Sequence, residues 1–552
     1  MSDPFETAAI RRRVLEAWAA SPVRFREDAN LEEDLVLGGY RDRVVVEVAQ
    51  NAADAALRGG VPGRLRLTLA GRTLTASNTG AALDAGGVTG LATLRASAKI
   101  DEADGADGTQ SPVGRFGVGF AAVLAVCEEP AVLSRAGSVR FSASETLQAV
   151  EAAAEHNAGL REESQRREGR MPVLRLPFPA DGEPQPGFDT SVVLPLRDDA
   201  ARDLVRGLLA GIDDALLLAL PALAEIVVDV DGEVRTLTAV RDADGVCVVT
   251  DGPRTSTWRT VSAGGPIPAE LLADRPVEER VRPRWSLTWA VPADGGGEPR
   301  RPGTAPVFHG PTPTDEPLGL PALLIATLPL DPTRRRLAPG ALTEFLLDRA
   351  ADAYTGLVRD WPAKTPAMLR LVPGPIADGP VDAELRRRIV SSLSRTEILP
   401  AAAAESPDDP APALLVPRDA VVVAPSSESL VAALEDVIPG LLPSGFERDQ
   451  AALTTLGVRA LGLADVVEAL AGLERGPEWW AVLYAALDEV SGHDPRAFDA
   501  LGALPVPLAD GRTVRGLRGT LRPGAGLDSA AIAALAPLGL RIIHPLALGD
   551  GT

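Results

Sequence analysis

The chain has 552 residues and a formal net charge of −21 at pH 7. This is enough length for about three domains, and the charge on average repels nucleic-acid phosphates. The 53 glycines and 48 prolines stay below the share of about 25–30% that marks a disordered chain. Two cysteines are too few for a disulfide framework, and no apolar stretch reaches the roughly 20 residues that a bilayer span needs. We therefore expect a cytoplasmic protein of several globular domains, with nucleic acid and membrane disfavoured as partners.

The first informative pattern lies within residues 44–58, after an amphipathic, arginine-containing helix predicted for residues 1–20. Glu47, Asn51 and Asp54 follow the spacing i, i+4, i+7, so they share one face of a helix whose other positions are mostly valine and alanine. An ordinary amphipathic surface helix has the same pattern. This segment alone therefore does not indicate a functional site.

The next segment, residues 74–83, begins like a strand and enters a turn at Asn78-Thr79-Gly80. Residues 83–113 follow, and their centre is acidic, contains glycine and has few large apolar side chains. Such a stretch cannot bury a core. We expect it to be a mobile lid that orders over a ligand, with an ordinary surface loop as the alternative.

Residues 114–120 have the sequence Gly-Arg-Phe-Gly-Val-Gly-Phe, and the apolar run 120–126 after them predicts a helix. Glycines ahead of a helix N-terminus let backbone N–H groups bind phosphate oxygens, although a tight turn into a buried helix needs the same residues. The spacing is the reverse of the dinucleotide fingerprint. Neither of the two lysines, Lys99 and Lys364, lies in a Gly-Lys-Ser/Thr sequence, which excludes a Walker-type P-loop, and protein-kinase motifs are equally absent.

Taken in order, these motifs resemble a known ATPase domain. The series Glu-x-x-x-Asn-x-x-Asp, Asx-Thr-Gly and Gly-x-Phe-Gly-Val-Gly-Phe, followed by the strand-like segment that starts at Asp189-Thr190, is similar to the domain shared by gyrase, heat-shock protein 90, histidine kinases and MutL. The nearest resemblance is to the heat-shock protein 90 and sacsin-like branch. It implies an α/β fold, an α+β sandwich of the Bergerat type, over residues 1–200 with a lid at about 83–113, and it implies ATP and Mg²⁺ as cofactors.

The resemblance also implies roles for single residues. Glu47 falls at the position of the general base that activates water, Asn51 at the magnesium ligand, and Asp54 at the pocket and sugar side. Asn78 and Thr190 fall at the adenine contacts. The remaining implied nucleotide contacts are Gly80, Lys99, Gly114, Gly117, Val118, Gly119 and Phe120.

Two residues depart from the family pattern. The family has aspartate at the position of Asn78, and a neutral acceptor contributes about 0.5–1.5 kcal/mol against about 1.5–3 for a charged one. Ala82 stands where the family has a second glycine. A site that binds nucleotide weakly, or a scaffold that does not hydrolyse it, is therefore an open alternative, although Glu47 favours hydrolysis over histidine-kinase chemistry.

Residues 201–365 are expected to form a second, α/β middle domain. A helix is predicted at 198–220, and strands are predicted at 225–231, 246–250, 256–261 and 285–291. The segment Leu328–Leu337 resembles the middle-domain loop of heat-shock protein 90, which implies a catalytic contact from Arg334 to the γ-phosphate. A solvated arginine cluster after a strand would give the same sequence.

Residues 366–552 are expected to form a mixed, mostly helical C-terminal region of unknown role. The whole chain is predicted to be an ATP-binding, ATP-hydrolysing, chaperone-like protein that couples lid closure to a protein client or partner. The alternatives are a non-hydrolysing nucleotide-binding scaffold and a DNA-transaction ATPase of the gyrase or MutL kind. The oligomeric state is left open, with a dimer among the options.

Overall fold

A computed structural model describes residues 3–37, 42–93, 119–275, 280, 283–310, 312–331, 335–406, 409–492, 499–524, 531–532, 535 and 538–549. The chain divides into two compact units. The first contains Met1–Asp294 and Arg300–Ala350, and the second contains Gly295–Pro299 and Ala351–Thr552. The predicted domain limits at 200/201 and 365/366 stay predictions.

The first unit is built on one large sheet. Its strands are β1 (Gly63–Ala70), β2 (Thr73–Asn78), β3 (Ala131–Ser134), β4 (Gly137–Arg140), β5 (Phe178–Pro179), β6 (Thr190–Pro195), β7 (Leu223–Val230), β8 (Glu233–Arg241), β9 (Val246–Asp251), β10 (Arg254–Pro266), β11 (Arg284–Ala293), β12 (Val307–His309), β13 (Pro313–Pro317) and β14 (Leu323–Ala326). Among the described residues these strands lie in the order β13-β12-β14-β11-β10-β9-β8-β7-β1-β2-β6-β3-β4-β5. This arrangement of helices and strands confirms the predicted α/β class. The Bergerat type of the fold stays a prediction.

Most neighbouring strands in the sheet are antiparallel, and the pairing of β1 with β7 is parallel. In that pair Leu65 lies opposite Ile226 and Leu67 lies opposite Val228, and all four side chains are buried in one core. The sheet therefore continues from the segment that carries the nucleotide-site motifs into the segment that follows residue 200.

The first unit also contains helices. They are α1 (Thr7–Ala20), α2 (Pro22–Leu37), α3 (Val44–Gly59), α4 (Ala85–Thr93), α5 (Ala143–Ala154), α6 (Ala158–Arg166), α7 (Asp199–Ala210), α8 (Asp214–Ala219) and the start of α9 (Ala341–Arg359). Helix α3 buries Val45, Val48 and Ala52 in the same core as the leucines of β1, so its polar face points away from the sheet. None of the described helices combines the length and the hydropathy that crossing a bilayer requires.

Two predicted helices differ from the structure. The apolar run after the glycines forms a short 3-10 helix, Gly119–Ala125, in which Phe120 to Leu124 are all buried, so side chains on every side of it pack into the core. The predicted helix at 198–220 is two helices, α7 and α8. Gly211 follows the first, and the side chain of Asp213 accepts a hydrogen bond from the Ala215 N–H at 3.0 Å and caps the second.

The second unit contains helices and short strand pairs. Its helices are the remainder of α9, α10 (Pro380–Leu393), α11 (Glu428–Leu434), α12 (Gln450–Leu456), α13 (Leu463–Ala469) and α14 (Pro477–Ser491). Its strand pairs are β15 (Leu399–Ser406) with β16 (Asp409–Leu415), β17 (Val421–Val423) with β18 (Arg459–Leu461), and β19 (Pro505–Pro507) with β20 (Thr513–Arg515). A core around Trp480 joins α11 and α14.

Candidate functional site

The polar face of α3 is enclosed rather than solvated. Glu47 is 7% exposed and Asp54 is 2% exposed, while Asn51 between them is half-buried. Buried carboxylates are costly unless polar groups or ions surround them, so this face differs from the solvated stripe of an ordinary surface helix. Among the described residues the Asn51 carboxamide makes no hydrogen bond, which leaves its oxygen available to a ligand.

The Glu47 carboxylate packs directly against Gly119, the first residue of the 3-10 helix. A Cβ atom on Gly119 would overlap Glu47 Oε2 and would lie 3.1 Å from Glu47 Cδ. Only glycine fits at position 119 with Glu47 in this position.

The turn after β2 packs against the second half of α3. Gly80 has a φ of +124°, and a Cβ there would overlap the Ala55 carbonyl oxygen and lie 2.6 Å from Ala56 N. The Ala81 N–H donates to the Ala55 carbonyl at 2.8 Å. Both the backbone conformation and the close approach to the helix require glycine at position 80.

Asp189 holds this turn from the neighbouring strand. Its Oδ2 accepts a hydrogen bond from the Gly80 N–H at 2.9 Å, and its Oδ1 pairs with Arg135 at 2.8 Å. The backbone N–H of Asp189 donates to the Asn78 carbonyl at 2.9 Å. In the sequence, Asp189 stands out only as the residue directly before Thr190. The local signal for its role is a carboxylate at the junction of a turn and a strand.

Asn78 and Thr190 lie opposite each other on β2 and β6, and both are buried. The Asn78 Nδ2 donates to the Thr79 carbonyl at 3.1 Å. With its NH₂ group used in this way, the Asn78 side chain presents Oδ1 as a hydrogen-bond acceptor. Beneath the pair, the hydroxyls of Ser77 and Ser191 are joined by a hydrogen bond of 2.8 Å.

These contacts lie along one helix. Gly119 meets Glu47 near the start of α3 and Gly80 meets Ala55 near its end, which at 1.5 Å per residue corresponds to about 12 Å along the axis. Gly119 therefore marks one end of the site, and the Asn78–Thr190 pair marks the other. Asn51 and Asp54 lie between them on the sequence of α3.

Several predicted site residues lie outside the described residues. They are Lys99, Gly114, Gly117, Val118 and Arg334. Of the predicted lid, the structure describes α4 and the residues before it, and the part from 94 to 113 lies outside. Phe120 is described and is buried beside Phe141, with ring centroids 6.2 Å apart, so its side chain packs in the core and only its backbone is a candidate contact.

A part of the site that the sequence did not indicate lies at the start of α3. Arg43 Nη1 donates to Thr312 Oγ1 at 3.1 Å, and Arg335 pairs with Asp315 at 3.0 Å. Asp315, with Asp42 as a further contribution, raises the pKa of Arg335 above its ordinary value. Residues from the far end of the sheet thus reach the end of α3 that carries Glu47.

Comparisons with known proteins assign no family to the chain. No model of a protein family matches it, and none of the curated proteins matches it significantly. Interpretation of the site therefore depends on the motifs and on the contacts described above.

Proposed function

We propose that this chain is an ATP-binding, Mg²⁺-dependent ATPase with a Bergerat-type fold in its first 200 residues. The observation that carries the proposal is the burial of Glu47 against Gly119, because this contact joins residues that lie more than 70 positions apart in the sequence. A surface helix and an unrelated glycine turn would have no reason to meet at a carboxylate. The resemblance to the heat-shock protein 90 and sacsin-like ATPases is part of this proposal.

The residues present fit a magnesium–triphosphate group. Mg²⁺ prefers oxygen ligands and keeps water and phosphate oxygens in its shell, so one carboxamide oxygen from Asn51 suffices on the protein side. When bound, the metal would neutralise phosphate charge. Glu47 would accept a proton from the attacking water. Phosphate oxygens could come close to the backbone of Gly119, because glycine carries no side chain.

The other end of the site fits a base with an exocyclic amine. Asn78 Oδ1 is an acceptor, since its Nδ2 already donates to Thr79. Thr190 adds a hydroxyl on the adjacent strand, and buried Asp54 lies between this end and Asn51. We infer that adenine occupies the Asn78 end and the phosphates the Glu47 end.

The predicted lid and the second half of the sheet suggest how ATP hydrolysis is coupled to movement of the protein. Residues 83–113 would close over the nucleotide, and Arg334 would stabilise charge on the leaving phosphate. We propose that these movements are coupled to a protein client or partner in the cytoplasm. Burial of the free thiols Cys127 and Cys247 supports a reducing compartment.

A second candidate is a nucleotide-binding scaffold without turnover. The neutral acceptor at Asn78 favours it, because the nucleotide would be held more weakly than by a carboxylate. The two candidates share the binding site and differ in hydrolysis. A turnover measurement on the full chain separates them.

Calorimetric titration of ATP into the purified full chain, with and without Mg²⁺, tests the proposal. We expect saturable binding that strengthens with Mg²⁺, and we expect Asn51→Ala to lose the magnesium dependence. Asn157→Ala, which removes a helix-capping amide on α6, is the matched control and should keep it. Unchanged magnesium-dependent affinity in Asn51→Ala would exclude Asn51 as the metal ligand, and no binding by the wild type would reject both candidates.

A further inference from the structure

The start of α3 is tied to a distant part of the same unit through Arg43. Its Nη1 donates a hydrogen bond of 3.1 Å to Thr312 Oγ1, and the two residues are 9% and 4% exposed. Thr312 directly precedes β13. Because the contact is buried, water competes with it weakly, so its loss costs more than the loss of an exposed hydrogen bond.

Arg43 is also one helical turn from Glu47. The Glu47 N–H donates to the Arg43 carbonyl at 2.9 Å, and the Glu47 carboxylate is confined by Gly119. A displacement of Arg43 therefore displaces the backbone that carries Glu47. The carboxylate would then lose its fit against Gly119.

The same end of α3 lies near Arg335, because Asp42, just before α3, contributes to the raised pKa of that arginine. We name residues 328–338 the arginine loop; its described ends are joined by a bridge between Leu330 and Leu337 and by a 3.0 Å hydrogen bond from Asp331 N–H to the Arg336 carbonyl. Arg335 of this loop pairs with Asp315 of β13 at 3.0 Å. Strand β13 thus contacts the arginine loop through Asp315, and Thr312 just before it contacts α3.

We propose that Arg43 is a positioning residue, which through its hydrogen bond to Thr312 holds Glu47 in register with β13. The proposal depends on the ATPase function and adds to it a link between the Glu47 turn of α3 and the second half of the sheet. As a positioning residue, Arg43 would act on hydrolysis through Glu47. Its effect is expected on the rate of hydrolysis and not on nucleotide affinity.

Thr312→Val tests the link, because it removes the hydroxyl and nearly keeps the shape. The matched control is Thr314→Val, at an equally buried position inside β13. The Thr314 hydroxyl donates to the Phe308 carbonyl at 2.7 Å, whereas the Thr312 hydroxyl accepts from Arg43. We expect Thr312→Val to lower kcat about tenfold, since small misplacements of reacting groups cost up to about 100-fold, with the Kd for ATP within twofold of the wild type. Thr314→Val is expected to keep kcat.

Hydrogen exchange and a double-mutant cycle complete the experiment. The amides at the start of α3 should exchange faster in Thr312→Val and in Arg43→Gln than in Thr314→Val, and the double variant Arg43→Gln/Thr312→Val should be no slower in turnover than the worse single variant. Equal kcat and equal exchange in the two threonine variants would overturn the positioning role. If the wild type neither binds nor hydrolyses ATP, the proposed function fails, while the exchange comparison still decides whether the link holds the Glu47 turn.

Discussion

Gly119 and Glu47 are separated by more than 70 residues, yet the side chain of one occupies the space where the other would carry a Cβ atom. The contact defines how close a backbone can come to the buried carboxylate. Asn78 is a second residue whose chemistry is fixed by a neighbour, since its Nδ2 donates to the Thr79 carbonyl and its Oδ1 is left as the acceptor. From each of these contacts we predict the effect of a single substitution.

Gly119→Ala should impair turnover. The new Cβ would overlap Glu47 Oε2, so the carboxylate must shift, and we expect the rate of ATP hydrolysis to fall at least about tenfold. Gly207→Ala is the matched control, because a Cβ at that position in α7 meets no atom within 4 Å. Wild-type turnover in Gly119→Ala would show that the position of Glu47 does not matter for hydrolysis.

Asn78→Ala should weaken ATP selectively. Loss of one neutral acceptor costs about 0.5–1.5 kcal/mol, and we expect a corresponding two- to tenfold rise in the Kd for ATP measured by calorimetry. GTP presents a carbonyl oxygen where ATP presents an amine, so the wild type should bind it more weakly and the substitution should affect it little. An equal loss of affinity for both nucleotides would argue against base recognition by Asn78.

At the scale of secondary-structure elements, helix α2 carries a buried acidic side chain, Glu32. Glu32 accepts a hydrogen bond from the Leu174 N–H at 3.0 Å, while its Oε2 has no partner among the residues that the structure describes. Burial raises the pKa of Glu32 to about 8, against the lowering effects of the Leu174 and Val173 N–H groups and of Arg175, and nearby Asp28 raises it slightly more. Arg175 pairs with Asp28 at 2.8 Å and donates to the Ala92 carbonyl at the end of α4.

This group should make the fold less stable as the pH rises. In the unfolded chain glutamate loses its proton near pH 4.3, whereas folded Glu32 keeps it to about pH 8, so the folded state binds more protons between these values and stability falls across them. We expect urea unfolding of Glu32→Gln to lack part of this decline, by a few kcal/mol at pH 9 relative to pH 5. Parallel pH profiles for the variant and the wild type would contradict the assignment.

Some elements could be predicted from the sequence because their signals are local. The spacing of Glu47, Asn51 and Asp54 predicted α3, and alternating apolar residues predicted β7, β9, β10 and β11, which the structure contains. Strand β8 was missed because its exposed and buried positions do not alternate cleanly. The break between α7 and α8 depends on the Asp213 cap, a local signal that the apolar pattern around it obscured.

At the scale of the molecule, the contacts that sequence could not supply are the long-range ones. No motif indicates that Arg43 reaches Thr312, and no periodicity pairs β1 with β7 in parallel. Both contacts depend on one continuous sheet that runs from the motif-bearing segment into the segment after residue 200. The sheet therefore connects the proposed nucleotide site to the second half of the first unit. Local sequence patterns predict these two parts as separate domains.

The central claim is that Glu47 is the general base of an ATPase, and turnover of Glu47→Gln tests it most directly. We expect the wild type to release phosphate from ATP with Mg²⁺, and the variant to bind ATP within about twofold of the wild type while losing turnover by at least about 100-fold. Glu32→Gln replaces another buried carboxyl of the same unit and should retain turnover. Equal phosphate release by Glu47→Gln and the wild type would contradict the account.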